Sequence, residues 1–217
     1  KIWVVDIDLE QFFDKVNHDI LMSKIAKTIK DKSLLRLIRR FLTAGLMQDG
    51  VYSAKGQEGT PQGGPLSPLL SNILLDTLDK ELERRGHSFS RYADDCNIYV
   101  NSEMAGKRVM AGILKFLKER LKLTVNTDKS AVNKVKHRQF LGFRILNNAD
   151  ITISKASLKK IKDKIRKLTK RNRAVSLDVL IKELNQVIRG WYHYFKDTKS
   201  ASLMKELDAW IRRKIRC

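Results

Sequence analysis

Two stretches far apart in the chain each place carboxylates at the end of an apolar run. The opening segment, "KIWVVDIDLEQFFDK", starts with a strand, "KIWVVDI", and Asp6 and Asp8, two apart at the end of that apolar run, fall on one face. The second, "SRYADDCNIYV" over residues 90–100, puts Asp94 and Asp95 in what reads as a hairpin turn. Arg91, Tyr92 and Ala93 lead into it, and Ile98, Tyr99 and Val100 leave it with the alternation of a half-buried strand. If both segments enter one sheet, Asp8 meets Asp94 in a cluster of carboxylates that cannot all stay ionised without cations. Two Mg²⁺ ions about 3.5–4 Å apart would resolve the repulsion and clamp an in-line phosphoryl transfer. Taken singly, each stretch has a plainer reading, since Asp-Asp starts turns and "DID" decorates edge strands.

A third stretch narrows the choice. "GTPQGGPLSPLLSNILLD" sets Gly59, Gly63 and Gly64 with Pro61 and Pro65 just ahead of a helix. Glycines there let the backbone approach a base or phosphate closely, and Gln62 both donates and accepts towards a nucleotide. On its own, the stretch would also serve as a loop capping the helix.

Charge points the same way. The chain has 217 residues and a formal net charge of +20, with 42% apolar residues, three Trp, five Tyr and eight Phe. It is therefore globular, with a field that gathers polyanions. No run approaches the roughly 20 apolar residues of a spanning helix, so nucleic acid is favoured over membrane. The opening residues are not expected to be a signal peptide. The strand-like first residues, with no start Met, are expected to lie inside a domain of a longer protein. Cys96 and Cys217 make neither a disulfide framework nor a CxxC zinc site, which fits a reducing cytoplasm.

Residues 151–217 carry 19 Lys and Arg against six Asp and Glu, a net of +13. That shift, near "NNADITISKAS", sets the expected boundary between a mixed region over 1–150 and a basic helical region over 151–217. In the first, "HDILMSKIAKTI", "SLLRLIRRFLTA", "LSPLLSNILLDTLDKELERRG" and "AGKRVMAGILKFLKERL" have helical spacing. "HRQFLGFRILN" reads as a strand or hairpin. The second holds three helices with narrow apolar stripes. These run through Ile161, Ile165 and Leu168, then Leu180, Leu184, Val187, Ile188 and Trp191, then Leu203, Leu207, Trp210 and Ile211.

"VVDIDLEQFFDKVNHDIL", "GTPQGGPLSPLLSNILLD", "RYADD", "LTVNTDKSAV" and "HRQFLGFRI", in that order, resemble the palm of a reverse transcriptase. More narrowly they resemble the bacterial group II intron-encoded reverse transcriptase/maturase family. "LIKELNQVIRGWYHYF" is similar to the start of that family's maturase, or thumb, domain. The resemblance implies an α+β palm, with an antiparallel sheet packed on helices, followed by an all-α three-helix thumb. It implies RNA-directed DNA synthesis with two Mg²⁺ ions, for which Mn²⁺ is an alternative. The implied partners are an RNA template, intron RNA, a DNA primer and deoxynucleoside triphosphates. By position, Asp8 and Asp94 would ligate the metals, with Asp95 beside them and the Leu9 carbonyl completing one ion. Phe13 would be the gate that excludes a ribose 2′-hydroxyl. Gln62 and Gly63 would lie against the template–nucleotide pair, and Lys129 would donate a proton to departing pyrophosphate. Phe140, Leu141 and Gly142 would grip the primer end.

Other readings stay open at this point. Lys129 could be a solvated loop charge, Phe12 and Phe13 could both be core, and Trp191 could be core or an RNA-stacking surface. His18, His87, His137 and His193 show no ligand spacing. A family member has a fingers region ahead of the position of Lys1, expected to hold the triphosphate. Three functional rivals also remain: a splicing cofactor with dispensable polymerase activity, an RNA-templated RNA polymerase, and a reverse transcriptase serving defence or a CRISPR system.

Overall fold

A computed structural model of the chain describes residues 1–48, 51–53, 56, 58–61, 64–146, 148, 150–170, 172–173 and 175–216, with the backbone alone at 46–48 and 51–53. Gln62 and Gly63 lie outside the described residues. Backbone proximity divides the chain into two compact units, Lys1–Asn133 and Lys134–Cys217.

The first unit opens with strand β1 (Trp3–Ile7), then helices α1 (His18–Thr28) and α2 (Lys32–Thr43) and a small hairpin of β2 (Leu46–Gln48) and β3 (Val51–Ser53). Helix α3 (Ser67–Arg84) follows, then β4 (Ser88–Tyr92), β5 (Asp95–Val100), α4 (Glu103–Phe116) and β6 (Ala131–Lys134). The sheet order is β4-β5-β1-β6, with β4–β5 and β1–β5 both antiparallel. Strand β6, from the "AVNK" segment, is an element that apolar alternation alone did not announce. It extends the sheet on the far side of β1.

Local chemistry explains where the helices start. Asn17, Asp31 and Ser102 each accept a backbone N–H of the first turn with their side chains, satisfying donors that have no partner inside the helix. Helix α3 instead carries Pro68 in its first turn, where a missing N–H costs nothing. Leu70, Leu74, Leu75, Leu78 and Leu82 of α3 recur at helical spacing and are all buried. They meet Val5 and Ile7 of β1, Ile98 of β5 and Ile113 of α4 in one core. Burying each such side chain stabilises the unit by about 1.5–3 kcal/mol. This core fixes the sheet whose ends carry the carboxylates.

The second unit starts with a 3-10 turn (Val135–His137), followed by a hairpin of β7 (Phe143–Ile145) and β8 (Ile151–Ile153), so residue 150 lies inside a hairpin. Helices α5 (Lys155–Leu168), α6 (Leu177–Phe195) and α7 (Ala201–Arg216) follow. Ile161, Ile165, Leu184, Leu207 and Ile211 form its core, with Leu168, Leu180, Val187, Ile188, Trp191 and Trp210 packed against it. The apolar stripes read from helical spacing are thus the faces that meet. Trp191 belongs to this packing, its ring 4.9 Å from that of Phe195. Tyr192 and Tyr194 are about half exposed.

Candidate active site

Strand register brings the two carboxylate stretches together. Strand β1 pairs with β5 from Trp3↔Val100 to Ile7↔Cys96, and β4 pairs with β5 up to Tyr92↔Asp95. One further step along the β1–β5 register sets Asp8 opposite Asp95, beside the two-residue turn of Ala93 and Asp94. That turn is tight. Ala93 has φ +53°, a left-handed conformation that costs a residue with a Cβ about 1–2 kcal/mol. Asp8, Leu9, Phe13, Asp94, Asn126 and Lys129 then line one cleft of about 420 Å³. Asp6, a step inside β1 and opposite Asn97, stays within the sheet.

The floor of the cleft is fastened by backbone. Leu9 bridges to Val125, Glu10 N–H donates to the Thr124 carbonyl at 3.0 Å, and Asn126 N–H donates to the Asp8 carbonyl at 2.9 Å. The Asp8 N–H in turn donates to Ser130 Oγ at 2.9 Å. Asn126 Oδ1 accepts the N–H groups of Asp128 and Lys129 at 3.1 and 3.3 Å, an Asx turn that brings Lys129 to the cleft. Asn126 lines the cleft and Ser130 braces the Asp8 backbone, and the motif reading gave neither a role. For Asn126 the signal was present, since an Asn two residues ahead of an Asp marks such a turn.

The two phenylalanines separate. Both border the cleft, but Phe12 is buried in the core whereas Phe13 is half-buried and more open to it, the rings 5.5 Å apart. The segment leading to the Gly-rich loop is tied to the same backbone. Thr60 N–H donates to the Phe13 carbonyl at 2.6 Å and Gly59 N–H to the Val16 carbonyl at 2.8 Å. His18, fully buried, donates from Nε2 to the Gly59 carbonyl at 2.6 Å. Its job is fastening that loop.

Phe140, Leu141 and Gly142 lie in the second unit, where Phe140 bridges to Phe143. The Tyr194 hydroxyl donates to the Leu141 carbonyl at 3.0 Å, and Ser157 Oγ donates to the Gly142 carbonyl at 3.1 Å. The bend is thereby held against α5 and α6.

Electrostatics mark the cleft as crowded with negative charge. Burial pushes the Asp95 carboxyl above its ordinary value, and the charges of Asp94 and Asp8 push it further, against the pull of Lys129. Among the described residues, no three His, Cys, Asp or Glu side chains form a ready metal cage. A hard divalent cation does not need one, because Mg²⁺ keeps several waters and commonly takes one or two carboxylates plus substrate phosphates. Two aspartates and main-chain oxygen are a donor set of that kind.

Residues 1–145 match the family model "Reverse transcriptase (RNA-dependent DNA polymerase)", and residues 158–217 match "Group II intron, maturase-specific domain". The chain is 31% identical over 179 residues to protein YkfC of Escherichia coli, covering 66% of this chain and 47% of that one. It is 43% identical over 89 residues to the group II intron-encoded protein LtrA of Lactococcus lactis, covering 41% of this chain and 15% of that one. The foamy viral protease-reverse transcriptase solved with dsDNA superposes with a TM-score of 0.56 at 18% identity, covering 99% of this chain and 41% of that one. This likeness establishes the fold, a polymerase palm followed by a helical thumb. The chain spans less than half the length of the two curated relatives. On these matches the chain belongs to the reverse transcriptase family and carries the maturase-specific domain of group II introns.

Proposed function

We propose that this chain is the palm and thumb of an enzyme that copies RNA into DNA and assists its intron RNA in splicing. The observation that carries this reading is the meeting of Asp8 and Asp94, distant in sequence, in one cleft with Phe13 and Lys129. Asp8 and Asp94, with Asp95 beside them and the Leu9 carbonyl, would hold two Mg²⁺ ions, or Mn²⁺ in their place. Bound there, the ions would lower the pKa of the primer 3′-hydroxyl and offset charge developing on the α-phosphate.

The chain's own residues do the rest. Phe13 presents a ring at the cleft wall, and contact with that ring excludes a nucleotide bearing a 2′-hydroxyl. This favours deoxynucleoside triphosphates and speaks against an RNA polymerase. Lys129, delivered by the Asn126 turn, is the proton donor to departing pyrophosphate. By their place in the motif, Gln62 and Gly63 would contact the template–nucleotide pair. Phe140, Leu141 and Gly142 grip the primer end. The basic helices of residues 151–217, a functional domain in its own right, lie along the RNA backbone. Because Lys and Arg displace counterions from phosphates, affinity there falls steeply with salt.

The maturase-specific match over residues 158–217 favours an intron element over a defence or CRISPR role. Substituting Asp94→Asn in the intact protein, then measuring primer extension and intron splicing separately, tests the reading. Loss of extension with splicing retained is expected. Extension at the wild-type rate would overturn it.

A further inference from the structure

Arg91, three residues ahead of Asp94, is mostly buried, its side chain 11% exposed. All three of its nitrogens are used. Nε and Nη2 donate to the two carboxylate oxygens of Asp79 at 2.6 and 2.5 Å, and Nη1 donates to Asn72 Oδ1 at 3.0 Å and to the Ala93 carbonyl at 2.9 Å. Asn72 and Asp79 both belong to α3, two helical turns apart on one side. A planar fork thus spans from the helix that follows the Gly-rich loop to the turn that carries Asp94.

The Ala93 contact separates this arrangement from an ordinary ion pair. Ala93 has a Cβ yet sits at φ +53°, and such residues persist only where their surroundings over-determine the backbone. The peptide joining Ala93 to Asp94 is planar, so gripping its carbonyl also sets the direction of the Asp94 N–H and the position of the Asp94 Cα. A lysine could meet Asp79 with its single ammonium. It could not reproduce the fork and reach two further acceptors in fixed directions.

We infer that Arg91, anchored by Asp79 and Asn72, is a positioning residue that holds the Ala93–Asp94 peptide and thereby aims the Asp94 carboxylate into the cleft. This rests on the role proposed for Asp94. Arg91 itself touches no reacting atom.

The test compares Arg91→Lys, Asn72→Ala and Asp94→Asn in the intact protein. In metal-free buffer, amide exchange at residues 93–95 is expected to quicken about tenfold in Arg91→Lys, with the rest of β4 and β5 protected as before. In primer extension, kcat per titrated active site should fall about 10–100-fold, since misplacement by an ångström costs about that much. KM for the deoxynucleotide should stay within about twofold. Asn72→Ala, at an exposed position, should shift both readouts the same way by a smaller factor at an unchanged melting temperature. If Arg91→Lys does not fold, Asn72→Ala decides.

A lower melting temperature with wild-type kcat per active site and unchanged exchange at 93–95 would overturn the inference, leaving Arg91 a fold-supporting ion pair. Wild-type kcat in Asn72→Ala together with unchanged turn exchange would do the same. The polymerase reading fails separately, and takes the inference with it, if Asp94→Asn extends primers at the wild-type rate. An inactive Asp94→Asn beside a fully active Arg91→Lys sinks the positioning role alone.

Discussion

Replacing Gly59 by Ala should be among the most damaging single-methyl additions in the first unit. Gly59 sits at φ +89°, and a Cβ built there falls 3.0 Å from the Asp14 carbonyl oxygen and 3.3 Å from the Asp14 carbonyl carbon and Cα. The left-handed backbone costs a residue with a Cβ about 1–2 kcal/mol, of which a stiffer unfolded chain returns about 0.4–1 kcal/mol. The contact adds about 1–3 kcal/mol, the usual range for overpacking, because a backbone oxygen cannot swing aside. It could retreat only by stretching the Gly59–Val16 and Thr60–Phe13 hydrogen bonds. The total is about 2–4 kcal/mol, or roughly 6–15 °C in melting temperature for a unit of this size. Two other glycines serve as controls. Gly86 has φ +70° with nothing within 4 Å of a built Cβ, and Gly56 has neither a positive φ nor a neighbour. Gly86→Ala should therefore cost about 1 kcal/mol, and Gly56→Ala should be neutral or slightly stabilising. Circular dichroism melts and urea titrations with unchanged m would give the three values. Equal costs for Gly59→Ala and Gly86→Ala would refute the argument, because the Asp14 contact would then contribute nothing.

Replacing Phe13 by Ala removes the ring from the cleft wall, and ribonucleotide use relative to deoxyribonucleotide use should rise about 10–200-fold in competitive primer extension. An unchanged ratio would remove Phe13 from sugar selection. Burial pushes the Cys96 thiol up to about 12, so roughly one thiol in ten thousand is ionised at pH 8. In a Cys217→Ser background, iodoacetamide should label Cys96 only after denaturant is added; labelling at the rate of a free thiol would contradict its burial. Hydrogen bonds from Arg84 and then Arg85 hold the Glu81 carboxyl down at about 2. Its stabilising contribution is therefore present above the unfolded value near 4.5 and lost as pH falls towards 2. Glu81→Gln should flatten the melting-temperature profile between about pH 5 and pH 2, and a profile parallel to wild type would count against the pairing.

Spacing alone announced much of this architecture. Helical periodicity in the basic region identified Ile161, Ile165, Leu184, Leu207 and Ile211, which are the side chains that meet. Alternation around Asp94 identified the β4–β5 hairpin; the edge strand β4 keeps that period of two, whereas β5, inside the sheet, buries Cys96, Asn97 and Ile98 in succession. What stayed hidden depends on contacts between distant residues. Strand β6 is short and follows a turn, so "AVNK" carries too little pattern to stand out, and its place in the sheet comes from pairing alone. His18 looked like a histidine without ligands; its buried bond to Gly59 needs a loop some forty residues away. Arg91 read as a lead-in to the turn, and no local rule says that its fork reaches back to α3. Asp8 and Asp94 are an intermediate case. The residue types announced a carboxylate cluster, but only the register of β1 on β5 makes the meeting specific.

The most direct measurement is anomalous scattering from crystals of the intact protein grown with Mn²⁺, a primer–template duplex and a non-reactive deoxynucleotide analogue. Manganese peaks are expected between the side chains of residues 8 and 94, at about 2.0–2.3 Å from carboxylate oxygens of both. Manganese bound elsewhere, with those two carboxylates bare beside a seated nucleotide, would contradict it.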